Sequence, residues 1–245
     1  ALILCMAPQS DAEETETITF LTWKPNQPEV WEKLIDDFHR RNPRISVKIQ
    51  VGPHSSTEYH AIVTQRLKNR DTSVDVFFMD VIWPPEFASA GWAFPLDEFF
   101  PSPEQEKFLS SPILANSYKG NIYGVPLFID SGMLYYRQDL LKRHGFNPPE
   151  TWEGMVKQAK KIVSEEKKNG EIYGFSGQFK QYEGLVCNMM EYILSNDGRI
   201  LNPQTGKSEI AEKPAIEAVK FVRDNIIGVI APKGALTYQE PESLL

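Results

Sequence analysis

The segment Ile45 to Val51 alternates strictly, with Ile45, Val47, Ile49 and Val51 separated by polar residues, as a half-buried β-strand should. It lies between two amphipathic helical stretches, and that arrangement constrains the fold more than any other feature. Upstream, Thr17 to Trp23 is β-rich, and Asn26-Gln27-Pro28 opens a helix with Pro28 suited to its first turn. Val30, Trp31, Leu34, Ile35 and Phe38 fall on one face of that helix, which Asn42-Pro43 stops. Downstream, Thr57 to Lys68 reads as a second helix with Tyr59, Ile62, Val63 and Leu67 inward. Val74 to Met79 follows as a nearly continuous apolar run, the pattern of a strand buried on both faces. Strand, helix, strand, helix, strand at these lengths predicts a parallel α/β sheet. Ligands of such sheets bind beyond the carboxyl ends of the strands, where Trp23 and Asp80 stand.

The rest of the chain reads as more helical. Pro84-Pro85 precede a short helix ending at Gly91, and Tyr123 to Asp130 reads as an edge or crossover strand. A helix then ends at Arg143-His144-Gly145, with Gly145 as its left-handed stop. Thr151 caps a long helix whose outer face is rich in lysine, most simply a solvated face. Tyr173 to Phe175 is expected as a short strand and Tyr182 to Ser195 as a helix. Ile216, Val219, Phe221, Val222 and Ile226 mark a last amphipathic helix, stopped at Gly228. The expected division is residues 1–16 as a signal-peptide remnant and acidic spacer, 17–126 as a first α/β lobe, and 127–245 as a crossing and a mostly helical second lobe.

Composition narrows the function. Of 245 residues, 26 are Lys or Arg and 33 are Asp or Glu, for a net charge of -7. That balance argues against nucleic acid or an anionic membrane as the main partner. Ala1 to Ala7 reads as the tail of a signal-peptide apolar region, and Ser10-Asp11-Ala12 offers a small-x-small cleavage pattern. The rival reading makes Cys5 a lipidated cysteine; a third makes this a disordered cytosolic N-terminus. With only Cys5 and Cys187, neither a disulfide framework nor a metal-ligand spacing can be built, and Cys187 is expected to be a buried small hydrophobe.

The chain has no Gly-rich phosphate loop, no HExxH and no GxSxG. His39, His54, His60 and His144 are not at ligand spacing, so no metal or cofactor is expected. What remains is carboxylates and rings beside breaks in the apolar pattern: Asp80 and Asp130, with Trp23, Trp83, Phe128 and Tyr182. Carboxylates hydrogen-bond sugar hydroxyls and aromatic faces cover the C–H face of a pyranose, which suits a neutral carbohydrate. Paired carboxylates equally suit glycoside hydrolysis. A structural alternative, in which Asp80 caps a helix and the rings are core, stays open at this level.

Several motifs in one order carry a resemblance. Val74-Asp75-Val76-Phe77-Phe78-Met79-Asp80-Val81, Phe87 to Trp92 and Pro95-Leu96-Asp97 resemble extracellular solute-binding proteins of the maltose-binding type. So do Gly120-Asn121-Ile122-Tyr123-Gly124-Val125-Pro126, Ser131 through Arg137 to Leu141, and Pro148-Pro149-Glu150-Thr151-Trp152. Lys180 to Cys187 is similar to trehalose/maltose-binding proteins of ABC importers. The resemblance implies the two-lobed type II periplasmic-binding-protein fold, each lobe a mostly parallel sheet flanked by helices, closing on its ligand like a clamp.

It also implies a non-catalytic, monomeric receptor outside the cytoplasm that presents a small-molecule sugar to ABC permease subunits. By position it carries over Asp80 in the first lobe and Asp130 just after the crossing as ligand contacts; in the binding reading Gln27 and Glu183 add hydrogen bonds and Trp23, Trp83 or Tyr182 stacks. The trehalose/maltose relatives place an Arg near Tyr59 or His60, a Tyr where Phe128 stands, and a Glu where Gln27 stands. Those departures bear on which sugar is bound, not on the clamp. Such relatives continue well past Leu245, so the expectation is a chain incomplete at its C-terminus. A glycoside hydrolase and a sugar sensor remain the alternative functions.

Overall fold

In the computed structural model, residues 15–23, 28–167, 172–239 and Ser243 are described. The chain divides into two compact units, Ala1–Ile129 and Asp130–Leu245.

The first unit is built on three parallel strands. Strand β1 (Glu16–Thr22) is central, β2 (Ile45–Val51) pairs along its whole length from Glu16↔Ile45 to Thr22↔Val51, and β3 (Val76–Phe77) pairs at Phe20↔Val76 and Leu21↔Phe77. Helices α1 (Pro28–Arg41) and α2 (Ser56–Lys68) make the crossovers, as the alternating pattern requires. Ser55 starts α2 by accepting the Glu58 N–H on its hydroxyl. His39 fastens α1 to the sheet, its Nε2 accepting the Val47 N–H at 2.9 Å.

The core lies on the α2 side of the sheet, where Leu21, Tyr59, Val63, Trp83 and Phe87 are buried together. Tyr59, Ile62, Val63 and Leu67 do turn inward, Ile62 and Leu67 only in part. The face expected to be inward on α1 is largely open: Val30, Leu34 and Phe38 are exposed, and only Trp31 and Ile35 are half-buried. Trp31 meets Phe20 at 5.4 Å, so one narrow stripe of the helix touches the strands.

Two strand expectations need correction. Val74 to Met79 contributes only the two paired residues of β3, and Val76 is 49% exposed instead of buried on both faces. The cause is pairing on one side alone, since β3 is an edge of the sheet among the described residues. Asp75 lengthens the join, donating its N–H to Thr19 O while its carboxylate accepts the Thr19 N–H at 2.8 Å. Tyr123 to Asp130 is not a strand either. Pairing there is confined to β4 (Ser117–Tyr118) with β5 (Asn121–Ile122), antiparallel, and Val125, Leu127, Phe128 and Ile129 are exposed with no ladder to join. Between β3 and β4 run three short helices, α3 (Pro84–Ser89), α4 (Ser102–Gln105) and α5 (Ser110–Ala115).

The second unit is helical: α6 (Gln138–Arg143), α7 (Trp152–Glu166), α8 (Glu183–Ser195) and α9 (Lys213–Phe221), the last continuing into a π-helical turn Val222–Ile226. Gly145 (φ 71°) ends α6 and Thr151 caps α7 through Gly154 N–H at 3.0 Å, both as expected. At the start of α6 the Arg137 guanidinium grips the Asp139 carboxylate at 2.6 Å and holds its pKa down to about 2. His144 joins α6 to α7, its Nδ1 on Glu165 at 2.7 Å and its Nε2 on Glu166 at 2.8 Å.

A sheet in this unit was expected, but no strand forms among its described residues. In the stretch Tyr173 to Phe175 the backbone N–H groups of Gly174 and Phe175 both go to the Ile230 carbonyl. A single shared acceptor cannot make a ladder. Cys187 is also corrected: it is exposed on α8, whose buried residues are Tyr192 and Ile193.

The core of this unit packs Met155, Val156 and Ala159 of α7 against Tyr192 and Ile193 of α8 and Ala215 and Ala218 of α9. Tyr192 is 3% exposed, 4.2 Å from the Trp152 ring, and its hydroxyl has no hydrogen-bond partner among the described residues. Burial pushes that hydroxyl's pKa up. Tyr192→Phe deletes an orphaned polar atom and keeps the ring, so it is expected to raise stability by about 1 kcal/mol. Denaturant unfolding followed by far-UV circular dichroism, which the helical second unit dominates, measures this; a loss of stability would show that the hydroxyl is satisfied in solution.

Candidate functional site

Three parallel strands run in the same direction, so the carboxyl ends of β1 and β3 lie side by side, and the residues just past them share one surface. Trp23 follows β1 and Phe78 follows β3. Their ring centroids are 4.0 Å apart, and Phe78 stacks on Phe128 at 5.6 Å with an interplanar angle of 23°. Trp23 and Phe78 are half-buried and Phe128 is 55% exposed, so the three rings form a continuous aromatic row with part of its area open to solvent. Trp23 and Phe128 were both expected here. Phe78, which joins them, was missed because the apolar run containing it reads as buried strand. Its place directly after the paired residues and two before Asp80 is the signal that could have found it.

Beneath the row the packing is tight. Tyr59 is fully buried, edge-on to Trp23 at 5.9 Å and stacked with Trp83 at 5.9 Å. Trp83 is only 5% exposed, held between Tyr59 and Phe87, which lies at 5.7 Å. It is therefore a core ring and not a stacking surface, which corrects its place among the expected contacts. His60 sits at 4.8 Å from Trp83, with its Nε2 paired to the Glu86 carboxylate at 2.8 Å.

Asp80 is half-buried in the turn after β3, and its carbonyl accepts the Trp83 N–H at 3.0 Å. That bond is backbone turn geometry and leaves the side chain's role open. Gln27 lies outside the described residues.

The remaining expected contacts belong to the second unit. Asp130 is exposed at its start. Tyr182 and Glu183 are half-buried at the beginning of α8. The Tyr182 hydroxyl donates to Gln178 Oε1, and Asn188 Oδ1 accepts the Gln178 N–H at 3.0 Å, so the loop before α8 is tied to the helix.

A hollow among the described residues lies at the opposite end of the sheet. It measures about 420 Å³ and is lined by Glu16 and residues Arg41 to Ile45, at the amino ends of β1 and β2. The carboxyl-end position and the open rings weigh more than volume in locating a ligand surface. Among the described residues no group of three or more His, Cys, Asp or Glu side chains gathers to hold a metal ion. No described helix is long and apolar enough to cross a membrane.

Known proteins share this sequence and architecture. A "Probable ABC transporter-binding protein" of Deinococcus radiodurans is 34% identical over 200 residues, covering 81% of this chain and 47% of that protein. The maltose-bound MalE3 structure of T. maritima superposes with a TM-score of 0.85 at 36% identity, covering 93% of this chain and 57% of the other. An ABC transporter solute-binding protein of Agrobacterium vitis, with bound D-mannitol, follows the same fold with a TM-score of 0.78 at 25% identity, over 94% of this chain and 55% of that one. The chain thus spans about half the length of the relatives it matches. The two-unit α/β architecture is that of the type II periplasmic sugar-binding proteins. The family model for bacterial extracellular solute-binding proteins matches residues 24–244, and the chain belongs to that family.

Proposed function

We propose that this chain is the ligand-binding part of an ABC importer receptor that works outside the cytoplasm and takes up an uncharged di- or oligosaccharide. The supporting observation is the row Trp23–Phe78–Phe128 at the carboxyl ends of β1 and β3. Open aromatic faces take the apolar C–H face of a pyranose, and carboxylates accept the hydrogen bonds of its hydroxyls. In this reading Asp80 and His60 serve beside the row in the first unit, and Asp130, Tyr182 and Glu183 serve in the second. Gln27 joins them on sequence grounds alone, and Trp83 acts from beneath as packing.

The named ligands of relatives lend support. The T. maritima protein is maltose-bound and the Agrobacterium vitis protein holds D-mannitol. A relative from Streptococcus mutans, 29% identical over 169 residues, is a multiple sugar-binding protein. The receptor acts as a monomer, binds without turnover and hands its sugar to membrane permease subunits. Its attachment outside the cell is through Cys5 as a lipid anchor or by release after cleavage, both outside the described residues.

Calorimetry with maltose, trehalose and D-mannitol tests the reading. Saturable binding of one maltose or trehalose per protein in preference to D-mannitol, with no glucose released on long incubation, is the expected result, and binding of D-mannitol alone would overturn the disaccharide class. Silence with all three sugars would sink the ligand class, and released glucose would turn the receptor into a glycosidase. The second outcome needs an acid and a base held about 5–9.5 Å apart across the bond to be cut.

A further inference from the structure

The carbonyl oxygen of Leu21 accepts two hydrogen bonds, from the Phe78 N–H at 2.8 Å and from the Tyr59 hydroxyl at 2.8 Å. The next carbonyl, that of Thr22, accepts the Gly52 N–H at 2.7 Å. These bonds stand where the ladder runs out: β3 reaches only Leu21, and β2 ends opposite Thr22. Trp23 comes next, with no strand pairing of its own. The backbone that carries its indole is therefore fastened on one side by Gly52 and on the other by a node that Tyr59 and Phe78 share.

Tyr59 also reaches Trp23 directly, ring edge to ring face at 5.9 Å. Space for it is reserved at Gly52, where a Cβ would come within 2.7 Å of the Tyr59 ring and 3.3 Å of Thr22 O. A phenylalanine would fill the same volume, so packing alone does not account for a hydroxyl at a fully buried position. Burial pushes that hydroxyl's pKa up, which keeps it a neutral donor.

We propose that Tyr59 is a positioning residue for the ligand-stacking row: its hydroxyl, through the Leu21 carbonyl it shares with Phe78, sets the Trp23 and Phe78 rings in the geometry that receives a sugar. The inference rests on the reading of Trp23–Phe78–Phe128 as the stacking surface. Tyr59 touches no ligand itself. Its effect is pre-organisation, which spares the sugar the cost of ordering the two rings.

The test uses the protein as its host makes it, with ¹⁵N-labelled indoles and with maltose, trehalose and D-mannitol as probes. In Tyr59→Phe the Trp23 indole signal, assigned with Trp23→Phe, is expected to shift or broaden while that of Trp152 stays. Affinity for whichever probe binds is expected to fall about fivefold, the scale of one lost hydrogen bond. In a Trp23→Ala background the same substitution is expected to add less than about twofold, because the residue acts through that ring. An unmoved Trp23 signal, or an equal loss in both backgrounds, would overturn the proposal.

If Trp23→Ala alone leaves affinity unchanged, the stacking reading fails and Tyr59 is only a core residue. If none of the three sugars binds, the ligand class fails, and the indole signal still decides whether Tyr59 positions Trp23. Should Tyr59→Phe fold poorly, Gly52→Ala crowds the same ring with the hydroxyl kept, and the same displacement of the Trp23 signal is expected.

Discussion

Phe87→Ala is expected to cost about 4 kcal/mol of stability, the scale of truncating a fully buried aromatic. Phe87 is 0% exposed and stands where three elements converge. Its ring meets Phe77 of β3 at 5.8 Å, His60 of α2 at 5.6 Å, and Trp83 and Trp92 at the two ends of α3 at 5.7 and 5.8 Å. The Phe87 carbonyl further accepts the Trp92 N–H at 2.8 Å, so the chain after α3 folds back over the same ring. Alanine leaves a void flanked by rigid rings that cannot collapse into it, so a cavity cost adds to the lost burial. Four of the five tryptophans (Trp23, Trp31, Trp83 and Trp92) lie in the first unit, so denaturant unfolding followed by total tryptophan emission reads this core. Phe87→Leu keeps most of the volume and is expected to cost less than about half as much. Equal midpoints for Phe87→Ala and the parent would mean that the ring is not packed as found.

The same cluster shows what could be read from residues alone. The parallel sheet was legible because strand and helix periods alternate at the right lengths between Thr17 and Val76, and because Pro28 and Asn42-Pro43 bound α1. The shortness of β3 was not. Apolarity reports a tendency to leave water, whereas strand length depends on a neighbouring ladder, which no local pattern encodes. For the same reason Tyr123 to Asp130 resembles a strand and forms none.

The rings divide similarly. Trp23, Trp83 and Phe128 occupy equivalent places in sequence, each beside a break in an apolar run, yet Trp83 is buried while Phe128 is 55% exposed. What separates them is Tyr59 and Phe87, which close over Trp83 from other elements. Tyr59 itself was readable as an inward helical residue. Its hydroxyl's partner lies 38 residues earlier, beyond any local signal.

Trp23→Ala is expected to lower sugar affinity about a hundredfold, the largest effect of any single change at the proposed site. Phe78 lies at 4.0 Å from the indole and Tyr59 packs against it at 5.9 Å, so the ring meets a ligand in one orientation and loses little freedom on binding. Phe128 offers a further open ring, but within the row it leans on Phe78 alone, at 5.6 Å, so it has more freedom to lose when a sugar orders it. Phe128→Ala is accordingly expected to cost about tenfold, against a hundredfold at Trp23. Trp23→Phe preserves a stacking face of smaller area and is expected to keep affinity within about tenfold of the parent. Calorimetry with maltose, trehalose and D-mannitol measures all three variants, with thermal unfolding run alongside to separate lost contact from lost structure. A Trp23→Ala protein that folds and binds as well as its parent would remove the aromatic row from the ligand surface. The carboxylates Asp80, Asp130 and Glu183 would then have to bear recognition by hydrogen bonds alone, with no apolar face to favour a pyranose over any other polyol.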